Sequence, residues 1–357
     1  MPWLRLSRVP LVLLAILSLT GAVFTGLFRI GAPVPAIFIG SSGFHSALMI
    51  SGFFGTVIGL ERAVATRMKW PYLSPLLSGI AGLSLLSTDL GIAPVLFTLA
   101  GFSFIATNIV VVLRQPAIYT MTLFIGAFLW LCSNLIWLLH DDLRASAIFG
   151  LSFLVLTIAA ERLELTRFLP PRKYSRIVFI FITLLVIGGT AIAGFSRPEQ
   201  NGWLGLGYGA LAIWLFHFDI ARKTILKRGV TRFVAICLLS GYVWLLVGGF
   251  LLADAVNVYG FQWDAAIHAI ALGFVFSMVI GHAPIIFPAV IRLKIPFSAL
   301  FYLPFTILQF GLLIRVCGDL SENAPLRMSG GIINGIAIAT FLATLISQVI
   351  RGSRAGS

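Results

Sequence analysis

The stretch Phe44–Arg67, FHSALMISGFFGTVIGLERAVATR, decides how the chain is read. From Ala47 to Leu60 it carries no charged side chain, and a helix needs about 20 mostly apolar residues to cross a bilayer. The apolar run is continuous and does not alternate with polar residues, so it reads as a helix and not as a barrel strand. A histidine stands near one end and the pair Glu61-Arg62 at the other. Ionisable groups are costly in such a segment, and their presence asks for a reason.

The rest of the sequence repeats this pattern. Of 357 residues, 59% are hydrophobic and only 10% charged, with a mean hydropathy of +1.03. A soluble domain carries about a quarter charged residues, so the composition belongs to an all-α membrane protein. About twelve transmembrane helices are expected, at 10–28, 36–60, 71–88, 93–113, 117–139, 144–161, 174–195, 201–220, 230–253, 260–283, 297–316 and 328–350. Gly- and Pro-bearing turns such as RIGAPVP, LRQPA, FLPPRK and FSRPEQNG separate them. The first run resembles a signal peptide, but the many similar segments after it favour an uncleaved first helix. Residues 1–357 are read as a single transmembrane domain in the lipid bilayer.

Charge placement sets the orientation. With the amino terminus inside, 20 of the 25 Lys and Arg residues fall in cytoplasmic segments, leaving only Arg29, Arg144, Arg197, Arg315 and Arg327 outside. Both termini are then cytoplasmic, and the formal charge of +13 is a topology signal with attraction to anionic lipid, not a nucleic-acid surface. Cys132, Cys237 and Cys317 are widely spaced in apolar runs and form neither a metal spacing nor a disulfide framework.

The segments ERAVATR (Glu61 to Arg67) and ERLELTR (Glu161 to Arg167) match at both ends and lie 100 residues apart, which here equals four helices. Either short Glu-Arg ends recur by chance, or a four-helix unit repeats three times, at 1–113, 117–220 and 229–350. The next member of that series is the tenth helix, WDAAIHAIALGFVFSMVIGHAPIIFPAV, with two more histidines.

On the expected edges His45 lies about nine residues into the second helix and His268 about eight into the tenth, roughly 13 Å at 1.5 Å per residue. Two imidazoles at one level fit a bis-histidine haem, whose iron takes axial nitrogens from facing helices. The bland alternative for each is a hydrogen bond to a neighbouring carbonyl or hydroxyl. Asp264, one turn before His268, would fix its tautomer or serve as an ordinary interfacial acid. His282 lies about 21 Å further along the helix and cannot reach the same iron. With Glu61, Glu161 and His217 it reads as a proton path, a second metal site or interfacial polarity. His140, before Asp141 and Asp142, reads as a solvated helix end.

HSALM in the second helix resembles the His-Gly-x-x-Met type signature of haem-copper oxidase subunit I. IHAIALGFVFSMVIGH is similar to their tenth helix and to the histidine-bearing helix of the NnrS family, membrane proteins linked to nitric oxide and haem. The resemblance implies twelve helices in three arcs, with His45 and His268 as axial ligands of a low-spin haem. It places Arg315 and Arg327 where the superfamily pairs arginines with haem propionates. The departures are specific. The sixth and seventh helices lack the histidines of a second metal, and Ala266 stands where a His-x-His pair would begin. The expectation is a haem-binding protein of a bacterial inner membrane, without a binuclear centre and so not a complete terminal oxidase or nitric oxide reductase. Its role would be electron transfer, nitric oxide or gas response, or assembly, with a redox partner or respiratory subunit. The rival reading is a proton-coupled secondary transporter using His45, Glu61, Asp264 and His268, and a third is a structural or assembly subunit.

Overall fold

The computed structural model describes residues 8–87, 91–167, 173–195, 201–254, 260–291, 293 and 295–354. Helices α1 to α12 are Val9–Arg29, Ser42–Thr66, Leu73–Ser84, Ala93–Arg114, Ile118–His140, Leu143–Thr166, Ser175–Phe195, Gly202–Phe218, Val230–Asp254, Phe261–Ile291, Tyr302–Leu320 and Ala324–Arg354. Among the described residues there is no strand. Ten of these segments are long and apolar enough to cross a membrane, while α3 and α8 are shorter. The chain is a multi-pass helical membrane protein. Its outward-facing side chains agree: Leu113, Phe181, Phe250 and Ile346 are more than half exposed although apolar, as lipid-facing residues are.

The chain divides into two compact units, 1–160 and 161–357, with the division falling inside the last turns of α6. In the first unit α1 packs on α2 and α3, α3 on α4, and α4 on α5. In the second, α8 lies between α7 and α9, α9 packs along α10, and α11 and α12 form an extensive antiparallel pair that also meets α10.

One expected edge moves in a way that matters. The second helix was expected from residue 36. Instead 3₁₀ turns occupy Ala36–Phe38 and Ser42–Phe44, and the continuous helical span begins only at Ser42. Pro33 and Pro35 bias the preceding chain towards extended backbone, and Gly40 and Gly43 add no helix propensity. His45 therefore stands three residues into its helix and His268 seven into its own, so they are not equally far from their helix starts. At its other end α2 runs on to Thr66, whose carbonyl accepts a hydrogen bond from Arg114 Nη1 at 3.1 Å.

Both α2 and α10 widen into π-helix, over Leu48–Gly55 and over Ala269–Phe276. Such i→i+5 turns are rare and gather at functional sites, because they redirect side chains. Each is held by a tryptophan and an amide. In the first unit, Trp130 Nε1 donates to Ser51 Oγ at 3.0 Å and Ser51 Oγ donates to Asn134 Oδ1 at 2.9 Å. Ser78 Oγ also donates to the Ser51 carbonyl at 2.5 Å. In the second unit, Trp244 Nε1 donates to Gln309 Oε1 at 2.7 Å, and Gln309 Nε2 donates to Ser277 Oγ at 2.9 Å.

Candidate functional site

His45 lies at the head of the first π-helical stretch, three residues before Leu48. Its Nδ1 is 2.7 Å from the carbonyl oxygen of Ala22 on α1. A carbonyl only accepts, so Nδ1 carries a proton, and Nε2 is the nitrogen that holds the lone pair when the ring is neutral. The ring lies directly over Gly26, one turn beyond Ala22. A Cβ at that position would stand 2.7 Å from His45 Cε1 and 2.8 Å from Nδ1, so only glycine leaves room for the imidazole. The ring is positioned by α1 as much as by its own helix.

His268 is built in the same way in the second unit. It immediately precedes the other π-helical stretch, and its Nδ1 donates to the Asp264 backbone carbonyl at 2.9 Å. The Asp264 carboxylate is farther off, with Oδ1 at 3.4 Å from Nδ1. The main chain thus places the proton on Nδ1, so that Nε2 is the nitrogen that carries the lone pair when the ring is neutral. His282 repeats the arrangement, donating Nδ1 to the Met278 carbonyl at 2.8 Å. It stands in the distant half of α10. His140 and His217 are exposed at helix ends, His217 edge-on to Phe218 at 4.7 Å.

The Asp264 carboxylate turns from the imidazole towards two guanidinium groups. Arg315 Nη2 on α11 donates to Oδ2 at 2.9 Å, and Arg327 Nη2 on α12 stands 3.1 Å from the same oxygen. Arg327 Nε also approaches Asp319 Oδ1 at 2.9 Å, without the alignment of a hydrogen bond. The guanidinium of Arg327 lies 5.2 Å from the centre of the Phe261 ring. Sequence reading singled out Asp264, His268, Arg315 and Arg327, and the second unit brings these four together. It missed Asp319, which follows Arg315 by one turn in an otherwise apolar helix.

Close backbone packing places these charges. A Cβ on Gly330 would lie 2.6 Å from Arg315 Cα, and one on Gly318 would lie 2.8 Å from Arg327 Cα. Each arginine thus leaves its helix opposite a glycine on the other, the use of small residues by which membrane helices approach closely. The turn joining α11 and α12 is tight, with Glu322 at φ 54°.

A family model described as a domain of unknown function (DUF8744) matches residues 8–350. The chain belongs to the DUF8744 family. A search of curated proteins finds no match. In this DUF8744 member, no group of three or more His, Cys, Asp and Glu side chains among the described residues is placed to hold a metal ion. What the donor chemistry offers is single imidazoles with Nε2 lone pairs, the kind of ligand that haem iron takes one at a time on each face. His45 in the first unit and His268 in the second each offer one such imidazole, and the space kept by Gly26 fixes the first of them.

Proposed function

We propose that this DUF8744 protein binds one low-spin haem through His45 and His268 and serves electron transfer, response to nitric oxide or another gas, or assembly of a respiratory enzyme. The observation that carries the reading is the shared construction of the two histidines: each pins Nδ1 to a backbone carbonyl, keeps its lone pair on Nε2, and heads an eight-residue π-helical stretch. Bound haem supplies one-electron chemistry. The chain's own residues orient the two donor nitrogens, through Ala22 and Gly26 on one side and the Asp264 carbonyl on the other. Arg315 and Arg327, next to His268 by way of Asp264, are the groups to meet the haem carboxylates. The sixth and seventh helices hold no histidine of the kind the superfamily uses for a second metal, so the proposal does not extend to a complete terminal oxidase or nitric oxide reductase. The alternation of Lys and Arg along the chain supports twelve spans with both termini in the cytoplasm, in a bacterial inner membrane.

The test is a reduced-minus-oxidised visible spectrum of detergent-purified protein produced with a haem supply. The expected result is sharp low-spin bands that are lost in His45→Ala and in His268→Ala and kept in His282→Ala. A folded, haem-free preparation would sink the reading.

A second reading, a proton-coupled secondary transporter, is favoured by the network of two arginines and two aspartates on α10 to α12. Proton-driven solute uptake into proteoliposomes, lost in Asp264→Asn, would support it.

A further inference from the structure

Asp319 is the one member of the ionic network with no exposed side-chain surface. Exposure rises outward from it: 9% for the side chain of Arg315, 22% for Arg327 and 23% for Asp264. A buried carboxylate needs aligned donors to offset its lost hydration. Among the described residues neither oxygen of Asp319 has an aligned hydrogen bond.

A count of charges would keep both acids ionised, because two arginines face two aspartates and guanidinium is always charged. The directions of the N–H groups decide otherwise. Arg315 Nη2 and Arg327 Nη2 both reach Asp264 Oδ2, and the aligned hydrogen bond from Arg315 goes there. Asp264 has what an ionised carboxylate requires. Asp319 has the misaligned Nε edge of Arg327 and the more distant charge of Arg315, with the ionised Asp264 beside it and on the same guanidinium. A like charge at that range disfavours a second ionisation. The other titratable group of the network is His268 on α10, kept from Asp319 by Asp264, and Glu322 is exposed in the turn beyond.

We propose that Asp319 is a proton-holding site, a carboxylic acid at neutral pH that exchanges its proton with water through the partly exposed Asp264–Arg327 edge. On release, the O–H bond breaks, the proton passes to solvent, and the carboxylate left behind is balanced by Arg327. On uptake the same path is reversed. The ligand of the site is a proton, and Asp264 is its positioning residue, since it draws the guanidinium donors away. The inference rests on the ionic network and does not require haem, so the spectral test above and the test below fail independently.

The experiment is infrared spectroscopy of the full chain in lipid nanodiscs, in light and heavy water, on wild type, Asp319→Asn and Asp319→Glu. The expected result is a protonated-carboxyl band at neutral pH that shifts in heavy water, disappears in Asp319→Asn and returns at a displaced position in Asp319→Glu. Absence of the band in wild type, or its persistence unchanged in Asp319→Asn, overturns the proposal. Thermal unfolding gives a second readout. Asn is a near-isostere of the neutral acid, so Asp319→Asn should melt close to wild type while Asp264→Asn melts well below it. If Asp319→Asn melts at or below Asp264→Asn, Asp319 is an ionised partner of Arg327 and the proposal is wrong.

Discussion

At the scale of single residues, the positions that matter most are those that make room. Gly26 carries no chemistry, yet the His45 ring occupies the place its side chain would take. Gly26→Ala should push the imidazole off the Ala22 carbonyl and lower bound haem per protein severalfold, while circular dichroism keeps its helical signal. Unchanged haem content would show that the ring is held by something other than α1. Gly330 performs the same service for Arg315. Gly330→Ala should cost about 1–3 kcal/mol, the range for overpacking, because the atom it meets is backbone and cannot swing aside. Loss of Asp264 is different in kind, since Asp264→Ala strands two arginines, one of them nearly buried. Removing one partner of a buried pair costs about 3–5 kcal/mol, and the partial exposure of Asp264 puts the expectation at the lower end. Both costs are read by thermal unfolding in detergent. Sequence reading found the titratable members of the site because an ionisable residue in an apolar run announces itself. It could not find Gly26 or Gly330, because a glycine whose role is to leave space for another helix looks like any other membrane glycine. Asp319 was not singled out, although its spacing of four from Arg315 was a usable signal.

At the scale of elements, the apolar runs foretold α2 and α10 but not their π-helical stretches. A widened turn is a compromise settled by neighbours, here by Trp130, Asn134 and Ser78 in one unit and by Trp244 and Gln309 in the other. Nothing in the local composition of LMISGFFG or AIALGFVF marks it. The start of α2 differs for a plainer reason: hydropathy continues smoothly through Ala36–Ile39 while Pro35 and Gly40 keep the chain from continuing as helix. The tryptophan clamps allow a direct test. Ser51→Ala takes the acceptor from a fully buried indole N–H, and such an orphaned donor costs about 1–3 kcal/mol. Gln309→Leu does the same to Trp244, which is only partly buried, so the smaller loss is expected there. Chemical unfolding of the two variants beside wild type ranks them, and a larger loss in Gln309→Leu would show that the clamp on α10 is the stronger.

At the scale of the whole molecule, composition decided the class before any motif did, and several element edges follow from it closely: 93–113 against Ala93–Arg114, and 230–253 against Val230–Asp254. The division at Ala160 was not legible, because it falls inside a continuous helix with no turn residue, and the charged pair Glu161-Arg162 that follows it reads as an ordinary helix end. Which end of each helix faces the cytoplasm rests on charge alone. Lys and Arg next to short loops resist translocation, and the 20 to 5 split of the cations assigns α1, α3 and every later odd-numbered helix an outward course. A fluorescent protein that matures only in the cytoplasm should therefore light up when fused after Ser357 and stay dark when fused between His140 and Leu143. An alkaline phosphatase that needs an oxidising compartment should give the reverse at both sites. Matching signals at the two sites would mean that an odd number of segments between them fails to alternate. The first helix to re-examine would then be α8, which lies between the two sites and is too short to cross a full bilayer at 1.5 Å per residue without thinning it.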